Sequence, residues 1–272
     1  PYTTELADGI ETVWLRSIQP RRFIMAGTHF KGPLLFSSAR GSLENLKQSM
    51  WPDQFTYMDD FYEGAVDTTL RWTIVKDSGA SAAIVADATG GEIALTSTAT
   101  TENDGASIQG KHEIFSLPTT AGDAIWFETR IKTSDADQMD ILVGLTETFA
   151  TNPENALASD NIIGFLLADG SAVISGVTES GGTATTVTFD DTTKATLADD
   201  TYITLGFKAT KGTSTDTVDF YINRKKVGSS QTNVPTANLK LAAMSLSGDA
   251  SGTKVTTLDY MMAAQDRAVS YE

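Results

Sequence analysis

Apolar residues along most of this chain fall at every second position, in short runs broken by Gly, Asp, Asn, Ser and Thr. In VDFYINRKKVG, Val218, Phe220 and Ile222 lie on one side and Asp219, Tyr221 and Asn223 on the other. That is the period-2 alternation of a strand with one buried face. The same texture predicts strands in GEIALTSTA, ASIQGKHEIFSL, DAIWFETRIKT, MDILVGLTET, NIIGFLLAD, SAVISGVTE, ATTVTFD, YITLGFKAT, TVDFYINRK and LKLAAMSLSG, with KVTTLDYMMAAQ closing. TGG (89–91), NDG (103–105), ADG (168–170), SGG (180–182) and SGD (247–249) supply the turns between them. Many short strands with turn signals at close spacing predict an all-β sandwich over residues 55–272. No fixed-period repeat or long helical pattern is present.

Residues 1–54 read differently. TVWLRSIQPRRFIMAGTHFKGPLLF mixes large apolar residues with Arg, Pro and Gly and keeps neither strand nor helix period. GSLENLKQSM fits a short helix capped by Ser42, with Leu43, Leu46 and Met50 on one face. An irregular segment this apolar is costly in water and must pack on its own sandwich or on another chain. It reads as a docking arm, and Trp14, Arg16, Arg21, Arg22, Phe23 and Phe30 are its candidate contacts, because Trp, Phe and Arg are interface-enriched.

Charge sharpens that division. The 272 residues carry a formal net charge of −15. Residues 1–50 hold six Lys/Arg against four Asp/Glu, a net +2, and the remainder carries a net −17. An acidic body excludes nucleic acid as the main partner, since phosphate binding needs clustered cations. The absence of cysteine removes disulfides, thiolate catalysis and Cys-ligated zinc. No apolar run reaches the length of a membrane span, and PYTTELADGI is not a secretory leader. An intracellularly made, non-secreted product is the expectation.

Several segments, in order, resemble the concanavalin A-like lectin/glucanase jelly-roll sandwich, laminin G-like domains included. They are Asp59-Asp60-Phe61 followed by Trp72, then GGEIALTS, the pair WFETRIK and ILVGLTET, GFLLADGS, YITLGFK, VDFYINRKKVG and LDYMMAAQ. The hairpin VDFYINRKKVG carries Arg224 where the family usually has Gly. The arrangement is also similar to sandwich domains of bacteriophage capsid decoration and other virion proteins. The resemblance implies an all-β fold of two antiparallel sheets and a non-enzymatic structural protein on a virion surface. Its partners would be a major capsid protein or other virion proteins, probed through the arm, with a homo-oligomer expected. The alternative it implies is a carbohydrate-binding, lectin-like module for host or glycan attachment.

Glucan-cleaving relatives carry two glutamates in an E-x-D-x-E strand, because retaining hydrolysis needs paired carboxylates about 5 Å apart. Here the corresponding strand reads FETRIK, with Glu128 alone. Asp135, Asp137 and Asp140 in DADQMD read as a turn in water. The two histidines, His29 in the arm and His112 in a predicted strand, form no metal or triad signature, and no G-x-S-x-G elbow exists. SGGT (180–183) reads as a hairpin turn and not a phosphate cradle. The expectation is no enzyme, no catalytic residue and no cofactor. Calcium is the one metal the resemblance implies, with Asn103–Asp104, Asp160–Asn161, Asp190–Asp191 and Asp199–Asp200 as candidate loops, none with a D-x-D-x-D-G pattern.

Sugar binding would need an aromatic platform. Trp72 and Trp126 read as core, whereas Tyr221 is either exposed or packed on a neighbour and is the candidate ligand contact, with Arg224 beside it. The basic tip Arg224-Lys225-Lys226 reads as a solvated hairpin turn that discourages edge pairing, or else as a contact to an acidic partner.

Overall fold

The computed structural model describes residues 54–98, 100–149 and 152–267. Residues 1–53 of the arm, with the candidate contacts Trp14, Arg16, Arg21, Arg22, Phe23 and Phe30, His29 and the short helix expected after Ser42, lie outside the described residues.

The strands are β1 (Gln54–Asp59), β2 (Trp72–Lys76), β3 (Ser81–Ile84), β4 (Ile93–Thr96), β5 (Gly105–Gly110), β6 (Ala124–Thr133), β7 (Met139–Thr146) and β8 (Ile162–Leu167). They continue as β9 (Ser175–Ser180), β10 (Thr183–Val187), β11 (Ile203–Thr210), β12 (Thr217–Ile222), β13 (Lys225–Ser230), β14 (Lys240–Ser247) and β15 (Val255–Asp266). Eight form one sheet in the order β13-β12-β11-β6-β15-β4-β3, with β1 paired to β15, and seven form a second in the order β10-β9-β8-β7-β14-β5-β2. Every pairing is antiparallel.

The alternation in the sequence decides which side chains enter the core. Phe207 of β11 lies opposite Phe127 of β6 and Phe220 of β12, so three rings form a row across the larger sheet. Phe127 and Phe207 stack at 5.2 Å, and Phe165 of the smaller sheet meets Phe220 edge-on at 5.4 Å. All four are fully buried. Gly176 makes room for them, because a Cβ there would sit 2.9 Å from the Phe220 ring.

The outer faces are not simply polar. On the smaller sheet, Leu142, Val177, Met244 and Leu246 form a second buried cluster with Phe149 and Ala156. Those two come from the segment that follows β7, which is tied down where Gln109 donates to the Phe149 carbonyl at 2.6 Å. On the larger sheet, Ala124, Trp126, Tyr221, Met262 and Ala264 form a third cluster. One predicted strand is corrected: ASIQGKHEIFSL is extended only through Gly110. Lys111 still donates to the Arg71 carbonyl, the chain then bends, and Phe115 rejoins through a lone bridge to Leu239. His112 is therefore an exposed residue of a bend and not of a strand.

Candidate functional site

Among the described residues, two places gather carboxylates and aromatics: the outer face of the eight-stranded sheet, and an open cleft beside the β1–β2 and β3–β4 connections.

On the sheet face, β6 turns Phe127, Thr129 and Ile131 to one side and Trp126, Glu128, Arg130 and Lys132 to the other. Glu128 is wholly buried. Its carboxylate accepts from Arg224 Nε at 3.2 Å and Nη2 at 3.1 Å, and from the Tyr260 hydroxyl at 2.6 Å. This two-pronged pair is the geometry in which guanidinium–carboxylate bonds are strongest. The positions flanking Glu128 on its face are Trp126 and Arg130 along β6, and Gly206 and Met262 across the neighbouring strands. None is an acid, so the paired carboxylates of a retaining glycosidase are not assembled here. Burial and the negative charge of Glu128 push the Tyr260 phenol well above its ordinary value, and hydrogen bonding to Glu128 holds the Arg224 guanidinium above its own.

Arg224 thus departs from the expected solvated tip. Asn223 and Arg224 are the two turn residues between Ile222 and Lys225, both with positive φ, 47° and 63°. The left-handed region at Arg224 costs about 1–2 kcal/mol for a side chain with a Cβ, and the buried carboxylate it reaches offsets that strain. Only the next two cations keep to the expected picture: Lys225 and Lys226 are exposed, with Lys226 2.7 Å from Asp219. Tyr221 resolves to the packed alternative, 7 % exposed against Trp126 and Met262, and so is not an open platform. Trp72 and Trp126 are both buried, but only Trp72 joins the inter-sheet core.

Further along the same face, Arg130 pairs with Asp259 at 2.6 Å and lies 3.9 Å over the Tyr202 ring, with Lys132 at 4.6 Å. The Tyr202 hydroxyl donates to Glu92, and burial followed by this bond raises its phenol.

The cleft is differently made. It has a volume of about 630 Å³ and is lined by Asp60, Tyr62, Glu63, Val85, Asp87 and Gly90, among others. Asp59, buried, fixes the first loop: Oδ1 accepts from Phe61 N at 2.9 Å and Oδ2 from Trp72 Nε1 at 2.7 Å. Phe61 takes φ +52° and packs on Trp72 at 5.7 Å, which leaves its neighbour Tyr62 outside and 74 % exposed. Gly91, at φ +85°, lets the second loop press on the first, since a Cβ would lie 2.2 Å from the Asp60 carbonyl oxygen. Burial, then Asp259 and Asp59, raise the Asp60 carboxyl above the usual carboxylate range. Sequence reasoning did not single out Tyr62. The signal was the adjacent pair Phe61–Tyr62, which straddles a turn so that both rings cannot enter one core.

The candidate calcium loops carry hydrogen bonds to other parts of the sandwich or within themselves. Asp104 accepts from Thr98, Asp191 from Lys194 N at 3.3 Å, and Asp199 from Ala136 N at 2.8 Å. Asp160 N and the Asn161 amide both donate to Glu147. Among the described residues no group of three acids or histidines is placed to hold a metal. Asp135 is not a solvated turn acid, because Lys254 binds it. Asp140 is half-buried, which raises its carboxyl.

No protein-family model matches the chain, and no curated protein sequence does. Solved structures do. An endo-1,3-β-glucanase from Streptomyces sioyaensis aligns with a TM-score of 0.57 at 10% identity, over 80% of this chain and 98% of that one. The carbohydrate recognition domain of Emp47p aligns at 0.52 with 13% identity, over 78% and 95%. Arcelin-5, a lectin-like defense protein from Phaseolus vulgaris, aligns at 0.53 with 7% identity, over 79% and 100%. The fold is the concanavalin A-like jelly-roll sandwich, as expected from the strand motifs.

Proposed function

We propose that this concanavalin A-like sandwich is a non-enzymatic protein that acts by binding, and that it serves as a virion structural protein, a capsid decoration protein docking through residues 1–54. The observation that carries the non-enzymatic reading is the state of Glu128. It is the lone acid of its strand, excluded from water, and engaged by Arg224 and Tyr260. A general acid or nucleophile must reach substrate, and this one is committed to a structural pair. The docking role is supported by the sequence contrast between a basic, aromatic-rich arm and an acidic body. Co-sedimentation with undecorated capsids tests it, comparing the full chain with a truncation starting at Phe55. Stoichiometric binding that is lost on truncation is the expected result. No binding by either contradicts the docking role on that capsid.

A second reading, carbohydrate binding, is favoured by the open cleft with Tyr62 at its rim. Pockets of this size with one aromatic wall and a few polar groups are ordinary small-ligand sites. The likeness to the carbohydrate recognition domain of Emp47p and to the lectin-like arcelin-5 points the same way, at the level of fold only.

A further inference from the structure

We infer that the cleft between residues 60–64 and 84–91 is a subsite for a neutral or amine-bearing sugar ring, which stacks on Tyr62 and donates hydroxyl hydrogen bonds to the carboxylates of Asp60 and Asp87. The inference rests on the carbohydrate-binding reading above and gives that reading a place and a ligand class.

Three observations carry it. The first is shape: a cleft of about 630 Å³ is large enough for one or two sugar rings. The second is the wall. Tyr62 is 74 % exposed on a loop that is itself held firmly, by Asp59 from below and by the Gly91 backbone from the side. An exposed aromatic on a mobile tip would lose entropy on binding, whereas this ring is presented by a fixed backbone. The positive φ values at Phe61, Asp87, Gly90 and Gly91 place left-handed backbone on both sides of one opening, and such conformations concentrate at binding and catalytic sites.

The third is polarity. A carboxylate is an acceptor only, with two oxygens, which matches the hydroxyl donors around a pyranose. Among the described residues no donor is bonded to the side chains of Asp60 or Asp87. The neighbouring cation, Arg71, is committed to Glu63 at 3.1 Å and lies 3.7 Å from Asp59. The opening therefore keeps a negative field. It favours neutral sugars and amino sugars and opposes uronic or sialic acids.

The test is a glycan-binding measurement on the full chain. The panel contains gluco-, galacto- and manno-oligosaccharides, chitosan oligosaccharides, and sialylated and uronic-acid glycans. The expected result is saturable binding within the neutral or amino-sugar arms and none in the anionic arms. Tyr62→Ala weakens it by about tenfold, the upper range of an aromatic contact, Asp87→Asn weakens it, and Tyr62→Trp retains it. Tyr62 and Asp87 are exposed, so folding of these variants is checked simply by an unchanged melting temperature. Binding that is indifferent to Tyr62→Ala overturns the subsite and leaves the carbohydrate reading standing. Binding confined to anionic glycans also overturns the subsite. No binding to any arm at millimolar glycan overturns both.

Discussion

The sheet face around Glu128 and the cleft around Tyr62 contain the same kinds of residue, and the contrast between them separates structure from function. Glu128 is buried with its charge answered by Arg224 and Tyr260. Asp60 and Asp87 border an opening, and the aromatic beside them faces solvent. A carboxylate next to an aromatic is thus no sign of a site by itself. What matters is whether its bonding capacity is already used and whether a ligand can reach it.

The largest expected effect breaks the closed side of this comparison. Arg224→Ala leaves the Glu128 charge buried without its cation, and losses from breaking such pairs run to about 3–5 kcal/mol. Chemical denaturation measures this. A double variant that replaces both partners with apolar residues recovers part of the loss.

Tyr260→Phe removes a hydrogen bond to a charged group, worth about 1.5–3 kcal/mol, and also changes the response to alkali. Burial and Glu128 raise the folded-state value of the Tyr260 phenol, and burial followed by Asp59 pushes that of Tyr57 up to about 12. A phenol raised in the folded state contributes stability that is fully present below its unfolded value of about 10. That contribution is lost as pH rises through the folded value. The wild-type chain is therefore expected to lose stability above about pH 10, and more steeply than Tyr260→Phe. Melting temperatures across that range show the difference.

Gly91→Ala acts on the cleft side. It forces a side chain into a positive-φ position against the Asp60 backbone, for about 1–3 kcal/mol. It also pushes the two cleft loops apart, which a melting curve and glycan binding report separately. Tyr62→Ala is the smallest in stability, within about 0.5 kcal/mol for an exposed side chain, and sharpens the comparison because any effect it has on binding is free of a folding effect.

Much of the fold was legible because it rests on local signals. Alternation placed Val218, Phe220 and Ile222 on one face, which is the inward one, and Gly-bearing turns marked the hairpins. The segment after Gly110 was misread because the apolar residues Ile114, Phe115 and Leu117 continue the texture of the strand before them, while the bend at Lys111–His112 is set by distant partners, the Arg71 carbonyl and the bridge from Phe115 to Leu239. The lock on Glu128 was not legible for a physical reason: its partners lie 96 and 132 residues away in sequence. The one local hint was Arg224 in a turn position that favours Gly. Such a departure signals that the side chain compensates for the backbone cost. Tyr221 could not be resolved from period alone, since alternation says which face a residue takes but not whether that face is covered.

The claim that Glu128 is structural and the sandwich non-enzymatic is tested most directly by reducing-end release from a panel of β-glucans, with the wild-type chain and Glu128→Gln side by side. The account predicts no release above the blank from either protein. Release by the wild type that disappears in Glu128→Gln would contradict it, and would make Glu128 a catalytic acid that its pair with Arg224 holds in reserve.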